Sequence, residues 1–241
     1  MFFRERCLGF TFKSQEVGET DKIFSLFTKE LGKIEILAKG IRKLPSKLRG
    51  GIEIFAISQI EFIEGRKQKI LVGSQLLERF ERIKKNVKKL SIAYKISQLL
   101  NSLIKGEEKD ERIYKLILQV FSRLNKYSLK KEILYYTYFF WKIIYFLGYE
   151  LNFDFCFLCS KKLNGKMYLH LSSGGIVCSD CFKNVKIGRE IPKNLAKLLK
   201  AILKENLEFV ERLKIKEERL NYLFSISEKY LNFLFQKNEM V

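Results

Sequence analysis

Four of the five cysteines fall into two C-x-x-C pairs, Cys156 with Cys159 and Cys178 with Cys181, and eighteen residues separate the pairs. Each pair lets two thiolates of one tight turn reach the same ion, and two such knuckles fill the tetrahedral shell that zinc prefers. The spacing C-x2-C-x18-C-x2-C lies in the range of zinc ribbons. Four protein ligands leave no exchangeable position for water, so the expected ion is structural, Zn2+, one per chain, and not a hydrolytic centre. A redox couple would need one C-x-x-C at the start of a helix in a βαβ unit and would leave the second pair without a role. In a reducing cytoplasm, paired cysteines are metal ligands more often than disulfides. His170 is the only histidine; it is surplus to the four-cysteine set and is expected on a strand beside the zinc module. Cys7, between "RER" and "LGF", reads as a small strand residue.

The second kind of chemistry is cationic. Lys39, Arg42, Lys43, Lys47 and Arg49 stand together without an acid in "KGIRKLPSKLRG", a segment punctuated by glycines and Pro45 that reads as an exposed basic loop. Between Arg82 and Lys105 there are seven Lys and Arg and no Asp or Glu, with Lys84, Lys85, Lys88 and Lys89 at the front of the run. A merely solvated helix face mixes signs, so this pattern favours a polyanion. Lys193, Lys197, Lys200 and Lys204 recur at steps of four, three and four, opposite Leu195, Leu198, Leu199, Ile202 and Leu203, which makes a lysine stripe on a helix with an apolar back. Other chemistries lack their residues. There is no G-x-x-x-x-G-K-[ST] and no G-x-G-x-x-G, which excludes a P-loop motor and a dinucleotide turn. A Ser-His-Asp or Cys-His arrangement would have to use His170, inside the cysteine region. No catalytic residue is expected, and carboxylate pairs such as Glu107 and Glu108 sit in charged turns.

The elements that must position these residues change character along the chain. "RCLGFTFKS", "IFSLFTK", "GKIEILAKG", "GIEIFAISQIEFIE" and "QKILVGSQLL" are short apolar runs between Gly or charged clusters, which predicts five strands and a small barrel over residues 1–80. From about Glu78 the period is helical, with Leu76, Phe80, Ile83, Val87, Leu90 and Tyr94 at steps of three and four. Further helices are predicted over "RIYKLILQVFSRLNKY", over Ile133 to Tyr149, after Pro192, which suits a first helical turn, and over "LNYLFSISEKYLNFLFQ". Lys142 interrupts the apolar run 133–149, which is also short of the about 20 residues a bilayer needs, so a buried core helix is expected and no membrane span. "KMYLHL" and the Gly174–Gly175 turn predict a β-hairpin within a zinc module at 153–184. The chain carries 46 Lys and Arg against 27 Asp and Glu over 241 residues, a formal charge of +19. Such a surplus draws polyanions, nucleic acid first, although a Lys- and Glu-rich surface of thermophile type would also raise both counts. The opening "MFFRERCLGFTFKSQEVGE" has charges within its apolar stretch, unlike a signal peptide, so a cytoplasmic location is expected.

The stretches "GETDKIFSLFTKELGKIEILAKG" and "LPSKLRGGIEIFAISQIEFIEGR" resemble the amino-terminal region of the RecO family of bacterial recombination mediators. "CFLCSKKL" and "HLSSGGIVCSDC" resemble the zinc knuckles of many of its members. The resemblance implies an α+β chain: a five-stranded OB-fold barrel at 1–80 as the DNA-binding domain, then a helical domain at 81–241 with the inserted zinc ribbon-like module. It implies binding of single- and double-stranded DNA, strand annealing, and work with RecR and single-stranded-DNA-binding protein to load RecA, in the cytoplasm at the nucleoid. It carries the zinc ligands onto Cys156, Cys159, Cys178 and Cys181, and the basic barrel loop onto Lys39, Arg42, Lys43, Lys47 and Arg49. Phe10, Phe12, Phe55 and Phe62 are base-stacking residues of the barrel face or core residues, depending on strand register. An RNA-binding factor acting on ribosomal or transfer RNA is the alternative of a different class, and a metal-dependent nuclease using unrecognised carboxylates is a third.

Overall fold

The computed structural model describes residues 4–126, 131–149, 151–170 and 174–239, the side chains of 235–239 excepted, and the chain divides into two compact units, Met1–Glu132 and Ile133–Val241. In the first unit, β1 (Arg4–Val17), β2 (Asp21–Thr28), β3 (Gly32–Ala38), β4 (Ala56–Glu64) and β5 (Lys69–Arg79) pair in the order β1-β2-β3-β5-β4. β4 pairs back with β1, so the sheet closes on itself. All these pairings are antiparallel except β3 with β5. Alternation sends Phe24, Leu26, Ile34, Ile36, Ile60 and Phe62 into one interior. Cys7 lies in that cluster as the small strand residue expected, and burial first, then the carboxylates of Glu30 and Glu5, pushes its thiol up to about 12.

Helices α1 (Glu81–Lys84), α2 (Val87–Leu103) and α3 (Glu111–Lys126) belong to the same unit. The change from strand to helix falls where the sequence places it, near residue 80, but the compact unit runs on to Glu132. The reason is an aromatic contact: Phe10 of β1 meets Phe121 of α3 at 4.4 Å between ring centroids, and Phe55 and Phe80 join the same cluster. The single helical period predicted from Glu78 is broken in two: Leu76 is still in β5, Ile83 is buried in the short α1, a second helix starts at Asn86, whose side chain accepts the Lys89 N–H at 3.1 Å, and Val87 and Tyr94 are exposed. Asn86 is an N-cap of the ordinary kind; the buried stripe is Ile92, Ala93, Ile96, Leu99 and Leu100.

The second unit opens one residue into α4 (Glu132–Phe146), a helix buried on nearly every side. None of the described helices is long and apolar enough to cross a membrane. Lys142, the cation inside this apolar run, donates to the carbonyl of Leu203 at 2.8 Å, and burial holds its amine below the usual lysine range. The remaining elements are β6 (Met167–His170), β7 (Gly175–Cys178), α5 (Ser179–Val185), β8 (Arg189–Ile191), α6 (Lys193–Lys204), α7 (Leu207–Arg212) and α8 (Glu217–Glu239). Lys142 thus satisfies a last-turn carbonyl of α6, where a positive charge also complements the helix dipole. Pro192 stands one residue ahead of its expected place, as the N-cap of α6.

Candidate functional site

The expected hairpin forms: β6 and β7 pair antiparallel with Met167 opposite Cys178 and His170 opposite Gly175. A third strand, β8, pairs with the other edge of β6, so the module extends past residue 184 to Ile191. Gly174 has φ +67, and a Cβ there would lie 2.1 Å from the Tyr230 hydroxyl, so both backbone and space require glycine. His170 closes β6 in a buried position and burial lowers its imidazole pKa; it is a strand residue, as expected.

The first knuckle begins at an Asx turn in which Asn152 Oδ1 accepts the N–H groups of Asp154 and Phe155. Cys156 donates its N–H to the Lys161 carbonyl at 2.8 Å, and Ser160 returns a bond to the Cys156 carbonyl from a left-handed conformation. The second knuckle lies at the junction of β7 and α5: Cys178 is the N-cap and Cys181 is in the first turn. These two turns bring the four sulfurs within 4.8 Å of one another, with Cys159 and Cys178 Sγ at 3.9 Å. All four are free thiols. Burial acts to raise the Cys156 thiol, but N–H groups of Cys159, Cys178 and Leu158 outweigh it and bring it down to about 6. Cys181 is pushed up to about 12, first by its contact with the Cys159 thiol, then by burial and the sulfurs of Cys178 and Cys156. One sulfur is thus prepared as a thiolate while another resists a second negative charge beside it, the electrostatic condition that a bound cation relieves. The cluster can hold a metal ion.

The basic loop follows β3 and is pinned to the barrel. Asp21 Oδ1 accepts the Gly40 N–H at 2.7 Å, the Arg42 N–H donates to the Thr20 carbonyl at 2.9 Å, and the Leu48 carbonyl accepts from the Ser74 hydroxyl at 3.1 Å. Ile41 and Ile52 are buried at its two ends. Lys39, Arg42, Lys43, Lys47 and Arg49 are all exposed, and Arg42 pairs with Glu16 at 3.3 Å. Arg42 and Arg49 line a groove of about 500 Å³ together with Lys22 and Glu53. Glu53 also pairs with Arg79 at 3.2 Å and with Lys84 at 3.0 Å, which brings one of the helical lysines to the edge of the loop's groove. Lys85 and Lys88 are exposed.

Lys89 is not part of this surface. It is 6 % exposed, and burial lowers its amine pKa against the opposing effect of Glu132. The phenylalanines offered as base-stacking residues are core as well, since Phe10, Phe12, Phe55 and Phe62 have no accessible surface. Phe62 points into the barrel, whereas Phe10 and Phe55 are covered by the aromatic contact with α3. On α6 the stripe is exposed at Lys193, Lys197 and Lys204, while half-buried Lys200 pairs with Asp154 at 2.8 Å and lies over the Phe153 ring. Exposed Arg66 and Lys67, in the turn between β4 and β5, were not singled out by sequence; "GRKQK" between two apolar runs is the signal that marks them. They line a second groove of about 710 Å³ with Lys33 and with Lys69, which is held between Glu64 and Glu107.

Residues 1–80 match the family described as Recombination protein O N terminal, and residues 85–239 match Recombination protein O C terminal. The chain is 30% identical over 203 residues to the DNA repair protein RecO of Caldanaerobacter subterraneus subsp. tengcongensis, covering 84% of this chain and 81% of that one. The DNA repair protein RecO of a Thermoanaerobacter species is 28% identical over 95% of this chain and 93% of its own. That of Listeria monocytogenes is 25% identical over 94% and 88%.

Proposed function

The chain belongs to the Recombination protein O family, whose place is in DNA recombinational repair, and from that premise we propose that it anneals complementary single strands of DNA without nucleotide hydrolysis. Residues 1–80 are an OB-fold DNA-binding domain. The order β1-β2-β3-β5-β4 with a parallel β3–β5 pair supports that assignment, because OB folds are five-stranded Greek-key barrels that take oligonucleotides on one face and its loops. Residues 81–241 are the helical domain that carries the inserted zinc module. In cells the protein works with RecR and single-stranded-DNA-binding protein in loading RecA.

The observation that carries annealing is cationic surface in excess on both compact units: the pinned loop 39–49 on one and the α6 stripe on the other. Two strands repel each other through their phosphates, and exposed Lys and Arg screen that repulsion without reading sequence. The pairing edges of the bases stay free, and base pairing then drives the reaction. The zinc ion, held by Cys156, Cys159, Cys178 and Cys181, is structural. With bonds of about 2.3 Å to thiolate, a regular tetrahedron has edges of about 3.8 Å, and the 3.9 Å between Cys159 and Cys178 fits it.

Mixing protein with complementary strands, bare or coated with single-stranded-DNA-binding protein, tests the proposal. Pairing faster than the spontaneous rate, falling steeply with salt and indifferent to ATP, is the expected result. Tight binding of single strands with no acceleration overturns it, and preference for structured RNA over DNA in direct competition replaces it with an RNA-binding role.

A further inference from the structure

The knuckle sequence Phe155-Cys156-Phe157-Leu158 places its cysteine at 2 % exposure and leaves its three apolar neighbours at 50 %, 56 % and 46 %. Single exposed apolar side chains are ordinary, whereas three in four positions mark a contact surface. This one is rigidly held. The Phe157 N–H donates to the Ile176 carbonyl at 2.8 Å, and the ring lies across Gly175, where a Cβ would come within 2.3 Å of it. Gly175 carries no positive φ, so the seat for the ring, not the backbone conformation, is what requires glycine there. One side of Phe157 is thereby covered by backbone and the rest faces solvent.

The surroundings of these rings are cationic. Phe155 forms an antiparallel bridge with Lys162, and residues opposite each other in such a bridge project to the same face. Lys161 and Lys162 are exposed and make no ion pair among the described residues. Exposed aromatic rings beside ammonium groups held in no salt bridge are the two components of single-strand recognition, a face for a base and a charge for the adjacent phosphate; the carboxylate that acts on Lys162, that of Asp154, is already paired with Lys200. An apolar protein partner would use the rings and leave the lysines unmatched.

We propose that Phe157 and Phe155 form a platform on the metal knuckle on which unpaired bases of a single strand stack, with Lys161 and Lys162 at the flanking phosphates. The proposal rests on the nucleic-acid-binding role given above. Since the ring is already seated, little freedom is lost on binding. Duplex DNA, whose base faces are hidden in its own stack, gains nothing from the platform.

The test compares a thymidine oligonucleotide with an abasic strand of equal length and charge. Wild-type protein is expected to prefer the thymidine strand, and Phe155→Ala/Phe157→Ala is expected to lose that preference, with about fivefold or greater weakening per ring. Metal content, salt slope and duplex affinity should not change. Phe157→Trp supplies an independent readout, because the native Trp141 is fully buried: emission from the introduced indole should be quenched by the thymidine strand and not by the abasic one. A base preference that survives in the double alanine variant, equal binding of both strands by wild type, or an introduced indole that the thymidine strand leaves unquenched overturns the platform alone. Failure of the wild-type protein to bind either strand overturns the nucleic-acid role and the platform together.

Discussion

The barrel and the cysteine module are both small β structures, and they are held by different means. The barrel's strands run from seven to fourteen residues, close without an open edge, and enclose a continuous apolar interior. The module's strands have four, four and three residues. They bury Met167, Leu169, Ile176, Val177 and Ile191, Tyr168 stacks face to face on Phe182 at 3.9 Å, and the four sulfurs gather beside them within 4.8 Å of one another. Below a certain size a fold buries too little surface to offset the entropy of ordering its chain, and a metal ion supplies the deficit. The two also differ at their surfaces: the barrel carries its cations on a loop pinned at its rim, whereas the module leaves the rings of Phe155 and Phe157 half exposed.

The largest test of this contrast is removal of the zinc ion proposed for the four sulfurs. A structural zinc site is worth on the order of 10–16 kcal/mol of apparent binding free energy, so Cys178→Ser or chelation should unfold the region around 153–191. Amide exchange is expected to accelerate there and to stay slow in β1–β5; equal loss of protection in the barrel would show that the two regions do not stand apart. The converse experiment attacks the barrel. Phe62→Ala empties a fully buried ring position and should cost about 3–5 kcal/mol, read as a lower midpoint in denaturant, while one metal ion per chain is retained.

A smaller effect separates the two cationic surfaces. Replacing Arg42, Lys43 and Lys47 by Ala should weaken single-strand binding equally for all sequences and reduce the log–log salt slope by roughly 0.7 for each phosphate no longer neutralised. An unaltered slope would assign the main phosphate-binding role to Lys193, Lys197 and Lys204 on α6. The smallest effect concerns how the loop is held. The Gly40 N–H, then the Thr20 hydroxyl, lowers the Asp21 carboxyl below its usual range. A depressed carboxyl contributes its anchoring above the unfolded value of about 3.9 and loses it as pH falls through the lower folded value. Exchange of the Gly40 amide should therefore quicken at neutral pH in Asp21→Ala, and in the wild-type protein only under acid.

Features set by neighbours in the chain were legible in the sequence. The pairing of Cys156 with Cys159 and of Cys178 with Cys181, the short apolar runs that become β2 and β3, and the lysine stripe of α6 over Leu195, Leu198 and Leu199 depend on local composition and spacing alone, because the length and period of a run decide what element it forms and which residues share a face. What lay outside that logic was decided by packing between distant segments. Asn86 starts α2 because its side chain caps that helix, an event that a run of apolar steps from Leu76 conceals. Lys89 and Lys88 are adjacent cations of the same type, yet only the first is covered by the fold. Phe10 and Phe55 look alike as exposed ring or core until Phe121, more than sixty residues on, is laid against them. Periodicity states that a face exists; which face meets another part of the protein and which meets solvent is settled only when the long-range contacts form, since burial is a property of the assembled surface and not of the residue.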